Sequence, residues 1–228
     1  MIRLVTYNIR GAKGMDNRRS AKRIADVIRE SGAQIACLQE VHQRLPWSGM
    51  VDQPGALFRS LGMKFAFQRN LSIGIGGYGN AVLTTMKIVG SRSHSLTSVD
   101  EQRGALELNL STPDGLLTVF CTHFGLESGE RVIQARELAA LVNAARAPKL
   151  VCGDFNEEAT AAGVVELIGA ANLIDADPGG PPTFDSEHPS RRIDMILHDP
   201  SISTHAVSVL ESLASDHLPL VADLTWSA

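Results

Sequence analysis

Acidic, amide and histidine side chains follow or interrupt six apolar segments of this 228-residue sequence. Any one of them would be ordinary, because such residues often cap helices or begin turns. One shared site explains all of them together, since strand ends commonly converge on a single cleft. The residues are Asn8, Glu40, His123, Asp154, Asn156, Asp194, Asp216 and His217.

The types of these residues indicate a particular chemistry. Carboxylate and amide oxygens without cysteine suit Mg²⁺ or Mn²⁺ better than zinc. Histidines and carboxylates side by side suit the activation of water. A phosphoester also presents anionic oxygens, so a cation and hydrogen-bond donors are needed to offset charge in the transition state. The pattern therefore predicts metal-dependent hydrolysis, and a phosphoester is one substrate that this set of groups suits.

Apolar periodicity predicts the elements that position these residues. An apolar stripe at i, i+3, i+4 and i+7 from Ala21 predicts a helix that ends at Gly32, between strands at 2–7 and 34–39. This strand, helix, strand order is typical of an α/β domain.

The same order recurs later in the chain. A stripe from Leu138 to Ala145, stopped by Pro148, precedes a strand at 149–152, and a short helix is expected at 161–168. Closing strands are expected at 193–197, 203–210 and 220–224. The recurrence favours an internal duplication, although the sequence similarity is too weak to assert one.

The middle of the chain has a different pattern, which predicts short antiparallel strands. They are expected at 65–68, 80–84, 88–94, 105–111 and 116–122. Thr-Pro-Asp-Gly at 112–115 predicts a hairpin. The glycine-rich stretch 74–79 is interpreted as a flexible loop on the substrate side; a phosphate cradle is the alternative, without the P-loop lysine.

In this order, the motifs resemble the endonuclease/exonuclease/phosphatase superfamily over essentially the whole chain. They are Thr-Tyr-Asn8-Ile, Leu-Gln-Glu40-Val, Gly79-Asn80, Arg103-Gly-Ala-Leu, Thr-His123-Phe, Gly-Asp154-Phe-Asn156, Arg-Ile-Asp194 and Ser-Asp216-His217-Leu-Pro. The resemblance implies one domain over 1–228 with an α/β, DNase I-like fold. That fold is a four-layer α/β/β/α sandwich of two mixed β-sheets flanked by helices.

The resemblance also implies how metal and water are handled. Glu40 would ligate Mg²⁺, with Mn²⁺ as a substitute, Asn8 would lie beside it, and Asp216 would contribute through water. Asp154 would orient and deprotonate the attacking water. Asn156 would hold that water or a phosphoryl oxygen.

The remaining implied roles concern the phosphate. His217, oriented by Asp194, would stabilise the phosphate charge or act as an acid, and His123 would donate to a non-bridging oxygen. Arg103 is assigned to the phosphate, with a solvated surface charge as the alternative, and Asn80 is assigned to substrate binding.

Other polar and aromatic residues fit no shared pattern. Trp47 is interpreted either as part of the cleft mouth or as an anchor for its loop, and Arg191 and Arg192 as an exposed basic pair or a phosphate rim. Isolated histidines are usually surface or core residues; they are His42, His94, His188, His198 and His205.

Details of the motifs narrow the substrate. Thr-His123-Phe is similar to the sphingomyelinase, deadenylase and tyrosyl-DNA phosphodiesterase side, and differs from the Asn-x-Tyr-x-Pro-Asn of apurinic endonucleases. Asp154-Phe-Asn156 lacks the later arginine typical of inositol 5-phosphatases. We expect a phosphodiesterase acting on a small molecule, a lipid headgroup or a nucleic-acid end. A single-strand nuclease is the alternative, and the complete motif set disfavours a non-catalytic binding scaffold.

Composition sets further limits. A net charge of −4 and 5% aromatic residues disfavour duplex DNA as substrate. Cys37, Cys121 and Cys152 lie within apolar runs, so buried free thiols are expected. The first residues lack a signal-peptide pattern and no apolar run reaches membrane-spanning length, which predicts a cytoplasmic protein. The oligomeric state stays open.

Overall fold

Two six-stranded mixed sheets pack face to face in the computed structural model, which describes residues 1–146 and 148–226. The first sheet contains β1 (Ile2–Asn8), β2 (Ile35–Gln43), β3 (Lys64–Ile73), β4 (Gly76–Thr84), β11 (Ile202–Val209) and β12 (Leu220–Trp226). The second contains β5 (Lys87–Leu96), β6 (Arg103–Thr112), β7 (Gly115–His123), β8 (Lys149–Asp154), β9 (Ile174–Asp175) and β10 (Asp194–His198).

Four α-helices accompany the sheets in the described part of the chain. They are α1 (Ala21–Ser31), α2 (Gln53–Leu61), α3 (Ser128–Ala144) and α4 (Ala162–Ala171). The predicted boundaries of α1 are confirmed: the Ser20 hydroxyl accepts a hydrogen bond from the Arg23 amide at 3.3 Å, and Gly32 ends the helix with a φ of 65°.

Within the residues that the structure describes, three apolar clusters fill the spaces between the layers. One fills the space between the sheets and contains the buried free thiols of Cys37, Cys121 and Cys152, as predicted. A second packs α1 and α2 residues against the first sheet, and a third packs α3 and α4 residues against the second. The predicted four-layer sandwich is therefore confirmed.

The two sheets share one connection pattern. Their strand orders are β11-β12-β1-β2-β4-β3 and β5-β6-β7-β8-β10-β9. Each has one parallel pair at its centre, β1 with β2 or β7 with β8, joined through α1 or α3. The shared connection pattern therefore agrees with the internal duplication that the sequence pattern favours.

The middle of the chain is antiparallel, and Thr112 pairs with Gly115 at the predicted hairpin. The interpretation of 74–79 as a loop is wrong. Strand β3 continues to Ile73 and β4 begins at Gly76, so the two strands form one long hairpin. A side chain at Gly79 would collide with the backbone oxygen of Gln68, so the glycine permits close strand approach rather than flexibility.

Helix α2 was not predicted from the sequence. Pro54 and Gly55 occupy its first turn and obscure the apolar periodicity, although Asp52 caps it by accepting from the Gly55 amide at 3.4 Å. Among the described residues, no helix is both long and apolar enough to cross a membrane.

Candidate active site

The polar residues predicted from the sequence meet along one edge of the sandwich. His123, Asp154 and Asp194 stand side by side in register on β7, β8 and β10. Asn8 ends β1, opposite Gln39 of β2, so Glu40 is the next residue along that strand. Strand ends from both sheets therefore supply one site.

Two of these residues have unusual backbone conformations. Glu40 has a φ of 53° at a register shift between β2 and β4, and Asn156 has a φ of 54° just after β8. Left-handed backbone is uncommon for residues other than glycine and concentrates at functional positions. Glu40 and Asn156 both contribute side chains to the cleft.

The Asn8 amide joins the carboxylates of the two sheets. Its Nδ2 donates to Glu40 Oε1 at 3.0 Å and to Asp154 Oδ2 at 2.9 Å. Its Oδ1 accepts from the Arg10 backbone N at 3.1 Å, which fixes the orientation of the amide. The Ser215 hydroxyl donates to the Asn8 carbonyl at 2.7 Å, so the segment before His217 is tied to the same strand end.

His217 lies between two carboxylates. Its Nδ1 is 2.8 Å from Asp194 Oδ2, and its Nε2 is 3.5 Å from Asp154 Oδ2. Burial opposes the charged ring, yet Asp194, Asp154 and Asp216 together outweigh it and raise the pKa of His217 to about 10. The ring is therefore cationic at neutral pH, with Asp194 orienting it.

His123 has the opposite character. Burial, together with the charges of Arg103 and His217, lowers the pKa of His123 to about 3, against the opposing effect of Asp154. The neutral ring carries one hydrogen. Arg103 Nη1 is a donor 3.1 Å from Nδ1, while Nε2 faces a second donor, Asn156 Nδ2 at 3.0 Å, as well as the acceptor Asp154 Oδ2 at 3.4 Å.

Asn156 closes this side of the site. Its backbone N donates to Asp154 Oδ1 at 2.9 Å, and its Nδ2 donates to the Phe124 carbonyl at 2.8 Å and lies 3.0 Å from His123 Nε2. The Asp154 carboxylate is thus held by Asn8 on one oxygen and by Asn156 on the other, with its orientation determined from both sides.

The site has an excess of carboxylate groups that a divalent cation would offset. Burial raises the pKa of Glu40, and the carboxylates of Asp154 and Asp216 raise it further, whereas the Asn8 amide opposes the rise. Asp154, Asp194 and His217 have ligand atoms within 4.8 Å of one another, so they form a buried candidate metal group. Oxygen-rich, cysteine-free ligands fit a hard cation.

A cleft of about 440 Å³ opens over these residues. Its lining contains Glu40, His42, Trp47, Leu71, Ile73, Tyr78, Glu101, Arg103, His123, Leu126, Asp154, Asn156, Phe184, Asp216 and His217. Asn8 and Asp194 lie behind this lining and hold it in place. Asn80 is also outside it: its amide donates to the carbonyls of Gly104 at 3.0 Å and Cys121 at 3.4 Å, and its role in substrate binding stays a prediction.

Several members of the site were not found from the sequence. Arg10 Nε forms an ion pair with Asp216 Oδ2 at 3.0 Å, and Glu101 Oε1 lies 2.7 Å from Arg103 Nη1. His42, interpreted as an isolated residue, lines the cleft beside Tyr78 with ring centroids 5.6 Å apart. The position of His42 two residues after Glu40 was the available signal.

The ambiguous residues are now located. Trp47 lines the cleft, in agreement with the cleft-mouth interpretation. Arg192 is buried and pairs with Asp175 at 2.6 Å, so it belongs to the core rather than to a phosphate rim or an exposed pair. Arg191 donates to the Asn156 carbonyl at 3.3 Å and lies outside the lining.

Comparisons with known proteins agree with this arrangement. A model of the Endonuclease/Exonuclease/phosphatase family matches residues 5–217. The Escherichia coli K12 protein YbhP is 30% identical over 243 residues, covering 97% of this chain and 95% of YbhP. The chain therefore belongs to the endonuclease/exonuclease/phosphatase family, a family of hydrolases that act on phosphoesters.

Solved structures have the same fold. An endonuclease/exonuclease/phosphatase from Beutenbergia cavernae is similar with a TM-score of 0.87 and 26% identity, covering 100% of this chain and 72% of that chain. The human Nocturnin catalytic domain, solved with a bound sulfate anion, has a TM-score of 0.77 and 24% identity, covering 99% and 94%.

Proposed function

We propose that this protein is a Mg²⁺-dependent phosphodiesterase in which Asp154 activates the attacking water. The observation that carries the proposal is the environment of the Asp154 carboxylate. Asn8 and Asn156 orient it, and the Nε2 atoms of His123 and His217 lie 3.4 Å and 3.5 Å from Oδ2. A base and two histidine rings therefore face the same small volume.

The two histidines divide the work on the phosphate. Neutral His123 offers one N–H for a non-bridging oxygen, while cationic His217 offers both a hydrogen bond and a positive charge. His217 can also release a proton to the leaving oxygen, because Asp194 retains it in the correct orientation. Arg103 steadies His123 and contributes charge at the cleft wall.

Glu40, supported by Asn8 and with Asp216 nearby, is the proposed holder of Mg²⁺. The alternative group of Asp154, Asp194 and His217 is less suited, because Nδ1 of a cationic His217 carries a hydrogen bonded to Asp194 and has no lone pair to offer. When bound, the cation would neutralise phosphoryl charge and organise the leaving oxygen for in-line displacement.

Hydrolysis of bis(p-nitrophenyl) phosphate tests the proposal. With Mg²⁺ the purified protein should release p-nitrophenolate, and EDTA should abolish the reaction. Asp154→Asn should lower kcat by roughly 10² to 10⁴ with an unchanged circular dichroism spectrum. Asp26→Asn, an exposed carboxylate on α1, is the matched control and should retain full activity.

Near-normal turnover by Asp154→Asn would remove that residue from its role. A 5′-labelled single-stranded oligonucleotide, assayed beside the small diester, examines the nuclease alternative. Efficient cleavage of the oligonucleotide together with poor turnover of the small diester would favour the nuclease.

A further inference from the structure

The cleft has two chemically different sides. One contains the groups that handle phosphate, described above. The other is apolar and contains Trp47, Leu71, Ile73 and Tyr78, whereas the apolar Phe184 lies against His217, with ring centroids 4.8 Å apart. Trp47 is 55% exposed, so this side presents apolar surface to water in the same cleft as the proposed reaction centre.

The strand pairing explains why the apolar side remains open. Leu71 and Ile73 are two residues apart, so their side chains lie on the same face of β3. Tyr78 is the cross-strand partner of Leu71, but the partner of Ile73 is Gly76, which has no side chain to cover it. Ile73 therefore lines the cleft without a cross-strand side chain over it.

The charges of the lining limit what else a substrate can carry. Of the four carboxylates that line the described part of the cleft, Glu101 is paired with Arg103 and Asp216 with Arg10, which leaves an excess of two, at Glu40 and Asp154. One divalent cation would offset that excess and leave no surplus positive charge. Glu101 Oε1 lies 2.7 Å from Arg103 Nη1, the same nitrogen that faces His123 Nδ1, so that nitrogen is already engaged. A second phosphate group would find no partner in this lining.

We infer that the substrate is a phosphoester with a single phosphate, whose organic group is apolar and lies against Trp47, Leu71 and Ile73. This inference rests on the proposed function and names the substrate class of the same site. Burial of an apolar group on this side would favour binding in proportion to the area removed from water. An aromatic ring and an alkyl chain are the two sources of such a group.

A series of diesters with one leaving group tests the inference. Methyl, hexyl and phenyl p-nitrophenyl phosphates have the same charge and the same leaving group, so differences in kcat/KM report the second ester group. We expect the better of hexyl and phenyl to exceed methyl by about tenfold. Preference for phenyl identifies an aromatic group, and preference for hexyl identifies an alkyl chain. Equal values for all three esters would overturn the inference.

A second phosphate is tested with thymidine 5′-(p-nitrophenyl phosphate), with and without a 3′-phosphate. The additional phosphate should lower kcat/KM, since the lining offers it no cation. An increase would overturn the restriction to a single phosphate.

Two isoleucines on one hairpin provide matched variants. Ile73→Ser should reduce the preference for the apolar ester at least threefold, whereas Ile75→Ser should preserve it, because Ile75 is 69% exposed and outside the lining. Trp47→Ala, at an exposed position, gives a second variant with little risk to folding. If both Ile73→Ser and Trp47→Ala retain the preference for the apolar ester, the proposed binding of its organic group against Trp47, Leu71 and Ile73 is wrong.

Binding separates failure of the inference from failure of the proposed function. Calorimetry with methyl phenyl, methyl hexyl and dimethyl phosphate needs no turnover. If no ester is hydrolysed with Mg²⁺ or Mn²⁺, the proposed function fails. The apolar site still stands if either apolar diester binds more tightly than dimethyl phosphate and Ile73→Ser removes that difference, and it falls if all three bind equally.

Discussion

The imidazole of His217 lies 2.8 Å from Asp194 through Nδ1 and 3.5 Å from Asp154 through Nε2. Asp194 therefore orients the ring and favours its protonated form, while Asp154 lies in the cleft beside it. Buried charge pairs add little net stability, but removal of one partner is costly because the other remains uncompensated. The His217–Asp194 pair therefore affects the stability of the fold, its pH dependence and the proposed chemistry.

The stability of the metal-free protein should depend on this pair. The pKa of His217 is raised to about 10 from an ordinary value of 6.5, so its stabilising contribution is complete below pH 6.5 and is lost as the pH rises towards 10. Asp194→Asn should cost roughly 3 kcal/mol at pH 7, and the difference from wild type should narrow by pH 10. Urea unfolding in EDTA at pH 7, 8, 9 and 10 measures both proteins. Parallel pH curves would contradict the assignment.

Glu40→Gln should raise the Mg²⁺ concentration needed for half-maximal activity by about tenfold or more, because the variant loses a charged oxygen ligand. Initial rates with bis(p-nitrophenyl) phosphate at increasing Mg²⁺ give the value. Glu101→Gln is the matched control, since Glu101 lines the same cleft but pairs with Arg103. An unchanged Mg²⁺ requirement in Glu40→Gln would place the cation on other ligands.

Glu101→Gln should itself tighten the binding of inorganic phosphate severalfold. Arg103 Nη1 is 2.7 Å from Glu101 Oε1, so loss of that carboxylate frees the guanidinium for an anion. The inhibition constant of phosphate, measured against bis(p-nitrophenyl) phosphate, reports the change. Arg103→Gln should weaken phosphate in the same assay. If both variants match wild type, Arg103 does not contact the anion.

Much of the fold follows from local patterns. The Ala21 stripe with Ser20 and Gly32 defines α1, because periodicity and caps act within a few residues. The turn at 112–115 defines the β6–β7 hairpin for the same reason. Helix α2 and the β3–β4 hairpin were not predicted, because proline and glycine usually mark breaks. In α2 the proline begins the helix, and in the hairpin the glycine permits close approach of the two strands.

The site divides in the same way. Asp154, His217 and Glu40 are identifiable from ordered motifs, because the chemistry of their side chains is visible in the residue types. The Arg10–Asp216 and Glu101–Arg103 ion pairs are not identifiable from the sequence. By residue type alone, Arg10 and Glu101 look the same as charged residues on a solvated surface.

By itself, the sequence indicated the family through its ordered motifs and, through that resemblance, the layered fold and the candidate residues for phosphoester chemistry, because motifs depend on residue type and short-range order. Only the tertiary structure decided which groups touch. The Asn8 amide reaches Asp154 across 146 residues, and Leu71, Ile73 and Trp47 form one wall, only because strand register and sheet packing bring distant segments together. Short-range patterns carry no record of that register.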